Sequence, residues 1–181
     1  MARVTTRTGD DGSSGLIGDG RLPKYHLRFE TVGTIDEATS HLGLARAHSP
    51  IERVRDVIFR VQHELYIAMA EISTTRDAYE KAGFRITIEH VRGIEDVCDS
   101  LKSDVEIPNR FIVPGATVSG AHIDVARTVV RRAERHVVRL LHEIEIDNWE
   151  VARYLNRCSD LLHILARYDE VAQGVTAQTQ S

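Results

Sequence analysis

Twenty arginines stand against three lysines in this 181-residue sequence, and their placement says more than their number. Between positions 118 and 144, Ile123, Ala126, Val130, Ala133, Val137, Leu141 and Ile144 recur at spacings of three and four and mark the core face of a helix. At about 100° per residue, Arg132, Arg135 and Arg139 fall opposite that face and read as solvated surface charge. Arg127, Arg131 and Glu134 fall at its edge, with Asp124 just outside their arc. A stripe there is half-buried in a seam between helices or subunits. Its charges need counter-charges or a ligand, because an unpaired buried charge is strongly destabilising. A guanidinium matches carboxylate or phosphate with two parallel hydrogen bonds, so an anion is the natural ligand class. An intrahelical Arg131–Glu134 pair is the plainer alternative.

Two further groups bear on the same chemistry. Asn156, Asp160, His163 and Arg167 share one polar face of the last helix, either a solvated surface or a second wall of the seam. Asp36 lies early in the first helix, where the dipole favours a carboxylate, with Ser40 and Gly43 on the same face permitting close approach. At the other end of the chain, Thr6-Arg7-Thr8-Gly9-Asp10-Asp11-Gly12-Ser13-Ser14 has the make-up of an anion cradle. Glycines let amides turn inward, and hydroxyls add donors. Lys24 is the only lysine in the first eighty residues. A plain flexible terminus has the same composition.

The elements that must position these residues are helical. Residues 1–28 hold five of the twelve glycines and no apolar period, which predicts an irregular loop with a short strand at its start. Val32, Ile35, Leu42 and Ala45 mark a first helix ending near His48, before Pro50. A second runs from Ile51 to about Thr75, and 76–86 is a loop. A third carries Ile88, Val91, Ile94, Val97 and Leu101, with Thr87 as cap. After a connection holding Pro108, Pro114 and Gly115 comes the fourth, Val118–Ile144. Asp147 is the expected cap of a fifth, which frays after Tyr168. The expectation is an all-α five-helix bundle, one domain over 1–172, with a disordered tail over 173–181.

Composition narrows the function classes. A net charge of −4 and 6% aromatics argue against nucleic-acid binding. Cys98 and Cys158 lack metal or disulfide spacing, and nine scattered histidines form neither HExxH nor Glu-x-x-His. No P-loop or nucleophile elbow occurs. The first residues lack a signal-peptide pattern and no apolar run approaches membrane length, so a cytoplasmic protein is expected.

Read together, four blocks resemble the PduO-type ATP:cob(I)alamin adenosyltransferases, collinearly over about residues 5–170. They are Thr6 to Lys24; Val32-Gly33-Thr34-Ile35-Asp36-Glu37; Phe111-Ile112-Val113-Pro114-Gly115 with Ala126 to Arg135; and Tyr154 to Leu162. The resemblance implies a five-helix bundle assembling as a homotrimer with active sites between subunits. Its substrates would be ATP and cob(I)alamin, with Mg²⁺ carried mainly by the ATP phosphates and no metal ligands from the protein. It would transfer the 5′-deoxyadenosyl group to cobalt and release triphosphate. By resemblance, Thr6, Thr8, Gly9, Asp10, Gly12, Ser14 and Lys24 wrap the phosphates. Arg131, Glu134 and Asn156 bind ATP across the seam, Arg127 pairs with Asp36 of a neighbouring subunit, and Phe111 covers the lower axial face of the corrin. A core anchor is the alternative for Phe111. A reductase and an adenosylcobalamin-dependent enzyme are the implied protein partners. Departures from the pattern are Ala38-Thr39 for Leu-Asn, Ala116 for a second Gly, Ile123-Asp124 for Leu-His, and Asp19 for a loop Gly. An adenosylcobalamin carrier or sensor without turnover, and another ATP-dependent helical enzyme, remain competing readings.

Overall fold

Where the sequence places a polar residue ahead of an apolar period, the computed structural model starts a helix. It describes residues 5, 7–143 and 145–180. Helix α1 (Leu27–His48) is capped by the His26 ring, which accepts from the Arg28 amide, and it ends ahead of Pro50. Helix α2 (Glu52–Ser73) follows directly. The expected 76–86 loop contains a 3₁₀ turn (Arg76–Ala78) and a single-turn helix α3 (Tyr79–Ala82), which ends at Gly83 with φ 69°. Helix α4 (Ile88–Lys102) opens on a reciprocal cap between Thr87 and His90. Helix α5 (Val118–His142) is capped by the Thr117 hydroxyl, which accepts from the Gly120 amide. The cap of helix α6 (Trp149–Ala172) is Asn148, not the expected Asp147. Asn148 does two jobs: its Oδ1 accepts from the Glu150 amide while its Nδ2 donates to Glu71 and to the Ile86 carbonyl.

The long helices pack in the order α2–α1–α5–α6–α4. Ile35, Leu42, Leu65, Ile94, Val130, Val137, Leu155 and Leu162 are among the side chains that fill the core between them. All of the predicted α5 core face that is described is buried; Ile144 lies outside the described residues.

Two small antiparallel ribbons complete the chain. Strands β1 (Ser13–Gly15) and β2 (Arg21–Pro23) make a hairpin inside the glycine-rich segment; the short strand expected at its start falls mostly outside the described residues. Strand β3 (Ile112–Val113) pairs with β4 (Gln178–Thr179). The tail expected to be disordered therefore turns back at Gly174 (φ 73°) and runs beside the Phe111 segment. Helix α6 likewise continues past Tyr168 to Ala172, because its last turns are buried and polar-paired.

No helix among the described residues is long and apolar enough to cross a membrane.

Candidate functional site

The N-terminal hairpin holds an open cavity of about 590 Å³, lined by Thr8, Gly9, Asp10, Ser14 and Lys24 from the predicted set, and also by Thr5, Arg7, Ser13, Gly15 and Arg21. Hydrogen bonds between backbone and short side chains shape it. Asp11 accepts from the amide and the hydroxyl of Ser13 at 2.9 and 2.8 Å, and these bonds hold its carboxyl below the usual range although it is solvent-exposed. Arg21 donates to the Ser13 hydroxyl at 2.9 Å and to the carbonyls of Ser13 and Thr8. It thus ties the loop to β2.

Gly9 lies at a close approach. A Cβ there would stand 3.0 Å from Lys24 Nζ and 3.2 Å from the Ser13 carbonyl. Gly12 is required by conformation (φ 80°), and its carbonyl accepts from the Lys24 amide at 2.9 Å. Gly12 thus sets the turn without lining the cavity. Ile17 fastens the hairpin to the end of α2, donating to the Ser73 carbonyl and accepting from the Thr75 amide, both at 2.9 Å. Thr6 lies outside the described residues. The sequence reading takes Arg7 only as part of the cradle stretch and does not single out Arg21, whose one signal is its place directly after Gly20.

The second set lies on α5 and α6. Arg127 and Arg131 line a groove of about 500 Å³ with Lys102, Ile107, Ser159, Asp160, His163 and Ile164. Glu134 accepts from Asn156 Nδ2 at 2.9 Å, so the two residues that the resemblance groups together do meet across the helix pair. No Arg131–Glu134 ion pair forms among the described residues. Instead the α5 arginines divide sharply. Arg127 pairs with Asp124, Arg132 with Glu37 and Arg139 with Glu143, and Arg135 donates to the Arg131 carbonyl. Among the α5 arginines, Arg131 alone has a guanidinium with no hydrogen bond or ion pair to the described residues.

The polar face of α6 is not one solvated surface. Asp160 is exposed and His163 half-buried, whereas Arg167 is 2% exposed. Arg167 donates to both Glu170 oxygens and to Asp124 Oδ2, each at 2.7 Å. Burial opposes its charge, but those hydrogen bonds outweigh it and hold its pKa above the usual value. Burial, then Arg167 and Arg127, push His163 below the ordinary histidine range. Cys98 and Cys158 are buried free thiols whose pKa values burial raises, that of Cys98 to about 11.

Asp36 is exposed, and its carboxylate has no partner among the described residues, although its carbonyl accepts from Ser40. Phe111 is 84% exposed, which removes the core-anchor alternative. Its carbonyl accepts from the Gln180 amide at 2.9 Å, so the tail steadies the backbone behind the exposed ring. Among the described residues, none lines both the loop cavity and the α5–α6 groove.

Comparison with known proteins fits this arrangement. The family model for cobalamin adenosyltransferase matches residues 4–169. A corrinoid adenosyltransferase of Mycobacterium leprae is 36% identical, covering 97% of this chain and 95% of its own. One of Citrobacter freundii is 32% identical, covering 98% of this chain and 100% of its own. Among solved structures, a Phe-to-Ala variant of a PduO-type ATP:corrinoid adenosyltransferase from Lactobacillus reuteri, complexed with cobalamin and ATP, superposes with a TM-score of 0.89. It is 28% identical and covers 98% of this chain and 99% of that one. On the collinear match of loop, bundle and seam, the chain belongs to the cobalamin adenosyltransferase family.

Proposed function

We propose that this protein transfers the 5′-deoxyadenosyl group of ATP to the cobalt of a reduced corrinoid, as a homotrimer whose sites lie between subunits. The observation that carries the reading is the unpaired Arg131 guanidinium on a helix whose other arginines are all engaged. A cation left without a partner beside a groove is placed for an anion from outside the chain.

The reaction asks little general acid–base work of the protein. Co(I) supplies the electron pair that attacks the ribose C5′. The C5′–O bond breaks, its pair leaves on the triphosphate, and the cobalt ends two electrons more oxidised. The protein's share is positioning and stabilisation of charge on the leaving group. Arg131 and Lys24 suit that task, with the amides around Gly9 and Gly12 and the hydroxyls of Thr6, Thr8 and Ser14. Glu134 and Asn156, already joined, hold the nucleoside end. Mg²⁺ would be carried mainly by the ATP phosphates, where it would neutralise charge without ligands from the protein. Phe111 presents an apolar ring to the lower corrin face, displacing the axial ligand and keeping water away, which eases reduction of Co(II). Arg127 meets Asp36 of the neighbouring subunit, a carboxylate without a partner among the described residues of its own chain.

An anaerobic assay with ATP, Mg²⁺ and chemically reduced cobalamin tests the reading. Loss of the Co(I) absorbance with equimolar triphosphate is expected. Tight binding of adenosylcobalamin without triphosphate would instead establish a carrier.

A further inference from the structure

The half-buried Arg127 and the buried Arg167 meet at one carboxylate. Asp124 Oδ1 accepts from Arg127 Nε at 3.1 Å, and Oδ2 accepts from Arg167 at 2.7 Å. Asp124 is 3% exposed, and Arg167 is fixed in turn by both oxygens of the buried Glu170. The chain Glu170–Arg167–Asp124–Arg127 is thus a neutral row of alternating charges leading from the core to the rim of the groove. Only Nε of Arg127 is used in it. Its two terminal nitrogens have no partner among the described residues.

This matters because Arg127 shares its groove with Arg131 and Lys102, against the single carboxylate of Asp160. Mutual repulsion and side-chain entropy would both scatter a long guanidinium placed there. One hydrogen bond at Nε selects its direction and leaves the planar fork available for a carboxylate.

We propose that Asp124, held by Arg167, is a positioning residue that sets Arg127 in advance for the partner subunit's carboxylate at the seam. This rests on the trimeric reading above. It also gives a purpose to the Ile123-Asp124 departure from the family's Leu-His: the negative charge beside the arginine stripe is already spent on two guanidinium groups and does not face the anion.

The test is a double-mutant cycle on the full chain, reading the concentration at which the trimer dissociates by sedimentation. Asp124→Asn keeps the side-chain size, and Glu170 still compensates Arg167, so the fold is retained. One acceptor oxygen becomes an amide donor that faces a guanidinium. Asp124→Asn is expected to raise the dissociation concentration about fivefold or more in the wild-type background and to change nothing in the Arg127→Ala background. A purely structural role for Asp124 would move both backgrounds equally, and that additive result overturns the proposal. Should Asp124→Asn fail to fold, Arg127→Lys decides. It keeps the charge but lacks the Nε donor, so it is expected to weaken the trimer as Asp124→Asn would, and an unchanged trimer overturns the proposal. If the wild-type chain is monomeric, the trimeric reading fails first and takes this inference with it. A stable wild-type trimer with additive variants defeats the inference alone.

Discussion

The hairpin cavity and the α5–α6 seam are the two halves of the proposed site and are built in opposite ways. The seam is a product of packing. Its polar groups ride on long helices whose apolar faces are buried, and its deepest charges are compensated in the core. The hairpin has almost no core. Its shape comes from positive-φ glycines, an aspartate-centred turn and one arginine clip, and it touches the bundle through the Ile17 bonds at the end of α2. A site half rigid and half held by local hydrogen bonds can keep the attacking geometry fixed while the phosphate-binding half opens for substrate.

The contrast can be broken at its strongest point first. Arg167→Ala leaves Asp124 and Glu170 buried without their shared cation, so it should cost about 3–5 kcal/mol of stability in denaturant melts. A loss under 1 kcal/mol, the value of an ordinary surface pair, would mean that the seam is not core-anchored. Arg131→Ala should do the reverse. It should leave melting unchanged and remove roughly 2–4 kcal/mol of transition-state stabilisation, read as kcat/KM. Near-wild-type turnover would dismiss Arg131 from the site.

Phe111→Ala should keep stability within about 0.5 kcal/mol, since the ring is exposed. Turnover should fall about tenfold or more when Co(II) must be reduced on the protein. Equal losses with pre-reduced Co(I) would assign the ring a different role. The smallest effect belongs to the hairpin. Gly9→Ala pushes on the Lys24 ammonium and should weaken ATP binding by about 1 kcal/mol in calorimetry, with no change in melting temperature. A drop in melting temperature would show that the loop is part of the cooperative fold.

The same contrast explains what the sequence made legible. The α5 wheel set Arg127, which is half-buried, apart from the exposed Arg132, Arg135 and Arg139, because periodicity reports burial; Arg131, expected half-buried beside it, is exposed in the single chain. Periodicity could not report pairing. That Arg131 is free while Arg127 is held depends on Asp124 and Arg167, which lie 43 residues apart in sequence. Arg167 looked like part of a solvated face because it falls on a polar stripe, and only the neighbouring α5 carboxylate turns that stripe inward. The α6 cap moved from Asp147 to Asn148 for a similar reason. Both residue types cap well, but only the Asn has an amide to give to the buried Glu71. The tail strand was invisible because a polar run has no period. Its order comes from the unpaired edge of β3. In the hairpin, composition marked the cradle but not the clip, since Arg21 acts through contacts to Ser13 and Thr8 that no spacing rule encodes.

The central claim is that hairpin and seam complete each other across a subunit boundary, since no described residue lines both cavities. Subunit mixing tests it most directly. Lys24→Ala and Arg131→Ala proteins, each inactive in the anaerobic assay, are dissociated, mixed in equal amounts and reassembled. A head-to-tail ring joins an intact hairpin to an intact seam in about one quarter of its sites, so roughly a quarter of wild-type turnover should return. If mixing restores nothing while the trimers demonstrably exchange subunits, hairpin and seam do not serve the same site across the boundary, and the account is wrong.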